Sequence, residues 1–243
     1  FLLCNPQNPT GNCWSPEDLM RMGELCLKNQ VTVLADEIHC DFVNKGQKYT
    51  PFASLPDKEI VNNSLTYKAI SKTFSLAAQK NAYFYSTNPV LLQRVKYNHR
   101  VDLNTLGMVA NEAGYRGGAE WLDQLLPYID ENHNYAESYI NNKLSKYMKY
   151  KKAQGTYLAW VDVSGLIDAI DAIDKSKSSQ SGTKPMRPTD IIEHWLVENA
   201  GVQLNPGANY GIGGEHHMRM NLGTPRPLIK KALDSISEAI SNI

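Results

Sequence analysis

The sequence predicts an α/β fold with a mostly parallel sheet, followed by a smaller α+β region. Three observations lead there. A strand, a helix and a second strand follow one another within about 35 residues, the length of a βαβ unit. The second of these strands, residues 31–35, is apolar except for the hydroxyl of Thr32 and rich in β-branched residues, as expected of a parallel strand covered on both faces. From Leu103 the apolar residues take up helical spacing, interrupted by one alternating stretch at residues 155–163.

Residues 1–4 form a short buried strand, closed by the turn cluster Asn5-Pro6-Gln7-Asn8-Pro9-Thr10-Gly11. Ser15-Pro16-Glu17-Asp18 starts a helix, with serine at the N-cap, proline at the first helical position and an acid three residues in. Leu19, Met22 and Leu25 or Cys26 then recur at helical spacing up to Asn29. The βαβ unit so formed is right-handed by default. Residues 64–70 and 82–86 supply two more strands, and Asn88-Pro89 opens a helix running to about Arg100. Beyond it, Trp121, Leu125 and Tyr128, then Tyr135, Tyr139, Ile140, Leu144 and Tyr147, mark long helices leading out of the sheet domain. Residues 155–163 alternate like an antiparallel strand, and helices near 189–199 and 225–243 follow. The last of them carries Ile229, Leu233, Ile236 and Ile240 on one stripe. Residues 175–187 are polar and low in complexity and read as a mobile surface loop. The domain boundary is expected at 128, giving a large domain over 1–128 and a small one over 129–243.

Composition narrows the function. The 25 basic and 25 acidic residues leave no net charge, which argues against nucleic-acid and anionic-membrane partners. Cys4, Cys13, Cys26 and Cys40 lack Cys-x-x-Cys spacing; their number allows disulfides, but they read as reduced thiols of a cytosolic protein. No apolar run approaches the ~20 residues of a membrane-spanning helix. Nor does a basic segment precede a short apolar one, so no signal peptide is read and a cytoplasmic location is expected. The chain opens on an apolar strand without an initiator methionine, and we read it as a fragment whose N-terminal part is absent.

Three motifs carry the chemistry, in order: Asn5–Gly11, then Ala35-Asp36-Glu37-Ile38-His39, then Ser71-Lys72-Thr73-Phe74. They place an amide, a carboxylate and an amine at the ends of successive apolar segments, where ligands bind in open α/β sheets. With Arg219 in His217-Met218-Arg219-Met220-Asn221, this order resembles the fold-type-I pyridoxal-phosphate (PLP) enzymes of the class-I/II aminotransferase superfamily, over almost the whole chain. The resemblance implies part of a fold-type-I PLP-dependent transferase large domain, plus a C-terminal α+β small domain. It implies PLP as cofactor, an amino acid as substrate, and a homodimer with its active site at the subunit interface. The phosphate loop and ring-stacking aromatic of such enzymes come before the first motif. The fragment alone is therefore expected to be inactive, to bind PLP weakly or not at all, and to self-associate through sheet edges.

By the same resemblance Lys72 forms the Schiff base and removes the substrate's Cα proton. Asp36 ends an apolar strand, where an unpaired carboxylate is costly; a protonated pyridine nitrogen is the compensating partner. Asn8 is the amide donor to the ring O3′, and His39 stands where many relatives carry a tyrosine. Ser71 is a phosphate donor. Lys80 occupies a position where many relatives place an arginine, so it supplies charge without the bidentate fork. Arg219 is the partner of the substrate carboxylate, whereas Arg226, on the last helix, is structural. Tyr157 and Trp160 read as core of the small domain. His216 and His217 would point to opposite faces of a strand, so no metal site is expected. The wording PQNPTG, ADEIH and SKTF, with GTYLAW later, looks most like the cystathionine β-lyase or cysteine C–S lyase branch. The expected reaction is PLP-dependent cleavage of a cysteine-type Cβ–S bond to thiol, pyruvate and ammonia. An aminotransferase is the alternative; a non-catalytic PLP-binding effector domain is the alternative of another class.

Overall fold

The computed structural model describes residues 1–98, 102–178 and 185–243. It comprises two compact units, one of Phe1–Asn8, Asn12–Pro127 and Gln154–Thr156, the other of Pro9–Gly11, Tyr128–Ala153 and Tyr157–Ile243.

The first unit is built on a four-stranded sheet of β1 (Leu2–Cys4), β2 (Val33–Asp36), β3 (Ser64–Lys68) and β4 (Tyr83–Tyr85), side by side in that order. The first three strands are parallel and β4 runs antiparallel to β3. Cys4 is in register with Asp36, and Asp36 with Tyr67, so the strands end together. Between β1 and β2 lies α1 (Pro16–Lys28), started as its sequence requires: the Ser15 hydroxyl accepts the Asp18 N–H at 3.0 Å, and proline follows at the first position. Leu19 of α1 packs with Leu3, Val33, Ala35 and Phe52 and with Ile60 of the short helix α2 (Lys58–Asn62). The turn after β1 is pinned by polar contacts. The Asn5 amide donates to the Thr50 carbonyl at 2.9 Å and accepts the Trp14 N–H at 3.2 Å, while the Trp14 indole donates to the Cys4 carbonyl at 3.0 Å.

Two expectations change here. β3 stops at Lys68 rather than reaching Ile70, because Ile70, fully buried, turns the chain into the four-residue helix α3 (Ile70–Thr73). The strand expected at 31–35 runs instead from Val33 to Asp36, making Asp36 its last residue. After β4, the Asn88 side chain accepts the Val90 and Leu91 N–H groups and caps α4 (Pro89–Asn98); the expected end at Arg100 lies outside the described residues. Next come α5 (Thr105–Gly117) and α6 (Ala119–Lys143), which contains Pro127.

The second unit is α+β. Its antiparallel sheet has the order β5 (Leu158–Asp162), β7 (His217–Asn221), β6 (Asn205–Pro206). Around it lie the later part of α6, α7 (Ser164–Ala169), α8 (Ala172–Ser178), α9 (Pro188–Ala200) and α10 (Arg226–Ser241). The strand expected from residue 155 begins only at Leu158, since Thr156 takes a left-handed φ of 66° that no strand accommodates. The loop expected over 175–187 is partly helix: α8 continues to Ser178, with Lys177 paired to Asp174 at 2.9 Å and lysines in its last turn, where they complement the helix dipole. Residues 179–184 of that loop lie outside the described residues. α10 buries the apolar stripe read from its sequence, Ile229, Leu233, Ile236 and Ile240, against Ile140, Leu166, Leu196 and Met218. Arg226 caps this arrangement: its guanidinium donates to the Asn132 side-chain oxygen at 3.0 Å and its N–H to the Tyr128 hydroxyl at 2.7 Å. Leu233 is fully buried, so Leu233→Ala should cost about 2–5 kcal/mol of unfolding free energy in urea denaturation.

Candidate active site

The carboxyl ends of the three parallel strands gather the chemistry in the first unit. β1 leads into the turn bearing Asn8, whose backbone N–H donates to the Cys4 sulfur at 3.4 Å. β2 ends on Asp36. β3 leads into α3, which carries Ser71 and Lys72. Burial raises the pKa of the Asp36 carboxyl above its ordinary value, and two features pull it back: the Ile38 N–H, donated to Oδ1 at 3.2 Å, and the positive charge of Lys72. The charge of Lys72 acts in the direction that favours the carboxylate. His39, in the turn after β2, is buried at 3% exposure. Ser71 and Lys72 are half-buried, whereas Lys80 is exposed and takes a left-handed φ of 51° at the end of a 3-10 turn.

The motif segments are held by contacts to residues outside them. The Thr73 hydroxyl donates to the Asp41 carboxylate at 2.6 Å, tying the segment that bears Lys72 to the loop after Asp36. Phe74 follows and lies 5.7 Å from the Trp121 ring and edge-on to Tyr115 at 6.4 Å. Gly118 makes room for it, because a Cβ there would meet the Phe74 ring at 2.3 Å. Gly118→Ala is therefore expected to push Phe74 out of place and destabilise the protein by roughly 1–3 kcal/mol, the usual cost of overpacking, readable as a lowered urea midpoint. Glu37 turns into the interior: one oxygen accepts the Phe52 N–H at 2.7 Å and the other the Tyr49 hydroxyl, with Lys68 at 3.6 Å. The contacts made by Trp14, Thr73, Asp41, Glu37 and Tyr49 were not read from the sequence, for each joins residues separated along the chain.

Arg219 belongs to the second unit. It lies on β7 opposite Trp160, and its guanidinium stands 5.0 Å over the Tyr210 ring. Its positive charge lowers the pKa of the Tyr157 hydroxyl, against the larger upward push of burial. Trp160 is half-buried and stacks flat on the His217 ring at 5.1 Å, with Tyr210 edge-on at 5.7 Å. Tyr157 and Trp160 thus sit at the margin of the apolar core rather than inside it. Among the described residues no group of histidine, cysteine and carboxylate side chains could hold a metal ion. Cys4, Cys13, Cys26 and Cys40 are free thiols, and no described helix is long and apolar enough to cross a membrane.

The family model for aminotransferase class I and II matches residues 1–236. The chain is 39% identical, over 99% of its length, to the cystathionine beta-lyase PatB of Bacillus subtilis, and spans 58% of that relative. It superposes with a TM-score of 0.86 and 33% identity on the PLP-bound C-S lyase of Staphylococcus hominis, covering 98% of this chain and 57% of that one. Against cystalysin of Treponema denticola, which contains pyridoxal 5'-phosphate, the TM-score is 0.85 at 26% identity, over 99% of this chain and 57% of the other. The chain belongs to the class I and II aminotransferase family.

Proposed function

We propose that the whole protein is a PLP-dependent C–S β-lyase that cleaves cystathionine or a related cysteine conjugate to a thiol, pyruvate and ammonia. The observation that carries the reading is Asp36 as the last residue of β2, with the charge of Lys72 acting on its carboxyl, in a chain 39% identical to a cystathionine beta-lyase. These residues fit PLP: a carboxylate disfavoured by burial would gain from a pyridinium beside it, and the half-buried Lys72 would supply the amine for the aldehyde. When bound, PLP supplies an electron sink for the pair released from the substrate's Cα–H bond.

The chain's own groups do the rest. The Asp36 carboxylate keeps the proton on the ring nitrogen, which is the condition for that sink. The Lys72 amine takes the Cα proton and holds it on Nζ while the thiolate departs from Cβ. Asn8 and His39 donate to the ring hydroxyl, Ser71 and Lys80 serve the phosphate, and Arg219 binds the substrate carboxylate. We further propose a cytoplasmic homodimer. The family description favours a second reading, an aminotransferase, which would use the same Asp36 and Lys72 but needs a keto acid as second substrate.

The test is the fate of the amino group. Given cystathionine, the whole protein should release pyruvate and homocysteine with no keto acid added. Turnover that required an added keto acid, with the amino group appearing on it, would replace the lyase reading by the aminotransferase one.

A further inference from the structure

We infer that Cys40 and Lys68 form an oxidant-responsive covalent pair, closing a sulfur–nitrogen cross-link when the protein meets hydrogen peroxide. Lys68 Nζ donates to the Cys40 sulfur at 3.2 Å, although the residues are 28 positions apart. They meet because β2 and β3 are parallel neighbours, which brings the turn after Asp36 beside the end of β3. The amine is held on the sulfur from several sides. Glu37 Oε2 lies 3.6 Å from Nζ, the Tyr49 hydroxyl 3.5 Å, and the Tyr49 ring centre 5.4 Å. The Lys68 side chain retains only 19% exposure, so it stays in contact with the sulfur rather than wandering in solvent.

That placement sets up a two-step reaction. The Cys40 thiol attacks peroxide, the O–O bond breaks, and sulfenic acid and one water form. Left alone, a sulfenic acid is captured by a thiol or a nitrogen nucleophile or is oxidised further. Here the nearest nucleophile is the Lys68 amine, its surplus proton passing to Glu37. Nitrogen attacks sulfur, the S–O bond breaks, and a second water leaves. In sum thiol, amine and peroxide give a sulfenamide and two waters; sulfur loses two electrons and peroxide gains them. The cross-link would fasten the loop after Asp36 to the strand that leads into Lys72. Burial, with the charge of Asp41, pushes the Cys40 thiol up to about 11, while the Lys68 charge pulls it down. The step therefore calls for sustained peroxide rather than traces.

The experiment treats the whole protein with hydrogen peroxide, blocks remaining thiols, digests it and identifies peptides by mass. The expected species joins the Cys40 and Lys68 peptides, lighter than their sum by two hydrogens. It should disappear on treatment with dithiothreitol, and it should be absent from Cys40→Ser and Lys68→Arg. The wild-type spectrum decides the matter even if a variant folds poorly. Sulfinic or sulfonic acid at Cys40 without the joined peptide would overturn the inference. So would a disulfide between Cys40 and Cys4, Cys13 or Cys26, or an unmodified Cys40.

Discussion

Lys72→Ala should lower β-elimination by the whole protein at least about 10⁴-fold in kcat, the upper end of what one positioned acid–base group contributes. The residue is asked to do two things, to anchor the cofactor and to take the Cα proton, and no other group of the strand ends duplicates it. Lys68, four positions earlier, is occupied by the Cys40 sulfur and Glu37, and Lys80 sits on an exposed turn. The fold should survive: Lys72 is only half-buried, so unfolding free energy should move by no more than about 0.5–1 kcal/mol. Added methylamine should restore part of the lost proton transfer. Activity within tenfold of the original, with normal folding, would remove Lys72 from the mechanism.

Asp36→Asn is expected to lower kcat by about 10²–10⁴-fold while leaving substrate KM within a few-fold, because the carboxylate acts on the ring nitrogen and not on the substrate. The amide keeps the size of the side chain and its acceptor for the Ile38 N–H, so the loop should hold. What is lost is the negative charge that keeps the ring nitrogen protonated, each pKa unit being worth about 1.4 kcal/mol. Burial already raises the pKa of this carboxyl; relieving it of charge should leave stability at neutral pH unchanged or slightly improved. A fall in kcat with no fall in thermal stability is therefore the expected pattern. A parallel loss of both would make Asp36 a structural residue.

The sequence made the parallel strands and the three motifs legible because both are local. The apolar residues 33–35 before Asp36 and a serine–proline helix start before Leu19 are short-range signals, and the three motifs are contiguous in the chain. Other features depend on partners far along the chain. The switch from strand to helix at Ile70 reflects the burial of one side chain, which no periodicity over residues 64–70 reports. Asp41 holding Thr73, and Cys40 meeting Lys68, come from the register of β2 on β3. The helix over Ala172–Ser178 was hidden by its own polarity: its serines and lysines read as loop, whereas buried Ala172 and the Asp174–Lys177 pair hold it helical.

The central claim, that Lys72 is the amine that holds the cofactor beside Asp36, is tested most directly by borohydride reduction. The whole protein loaded with PLP should lose its visible absorbance on reduction, and digestion should recover the phosphopyridoxyl group on Lys72. Its recovery on Lys68 or Lys80 instead would contradict the account.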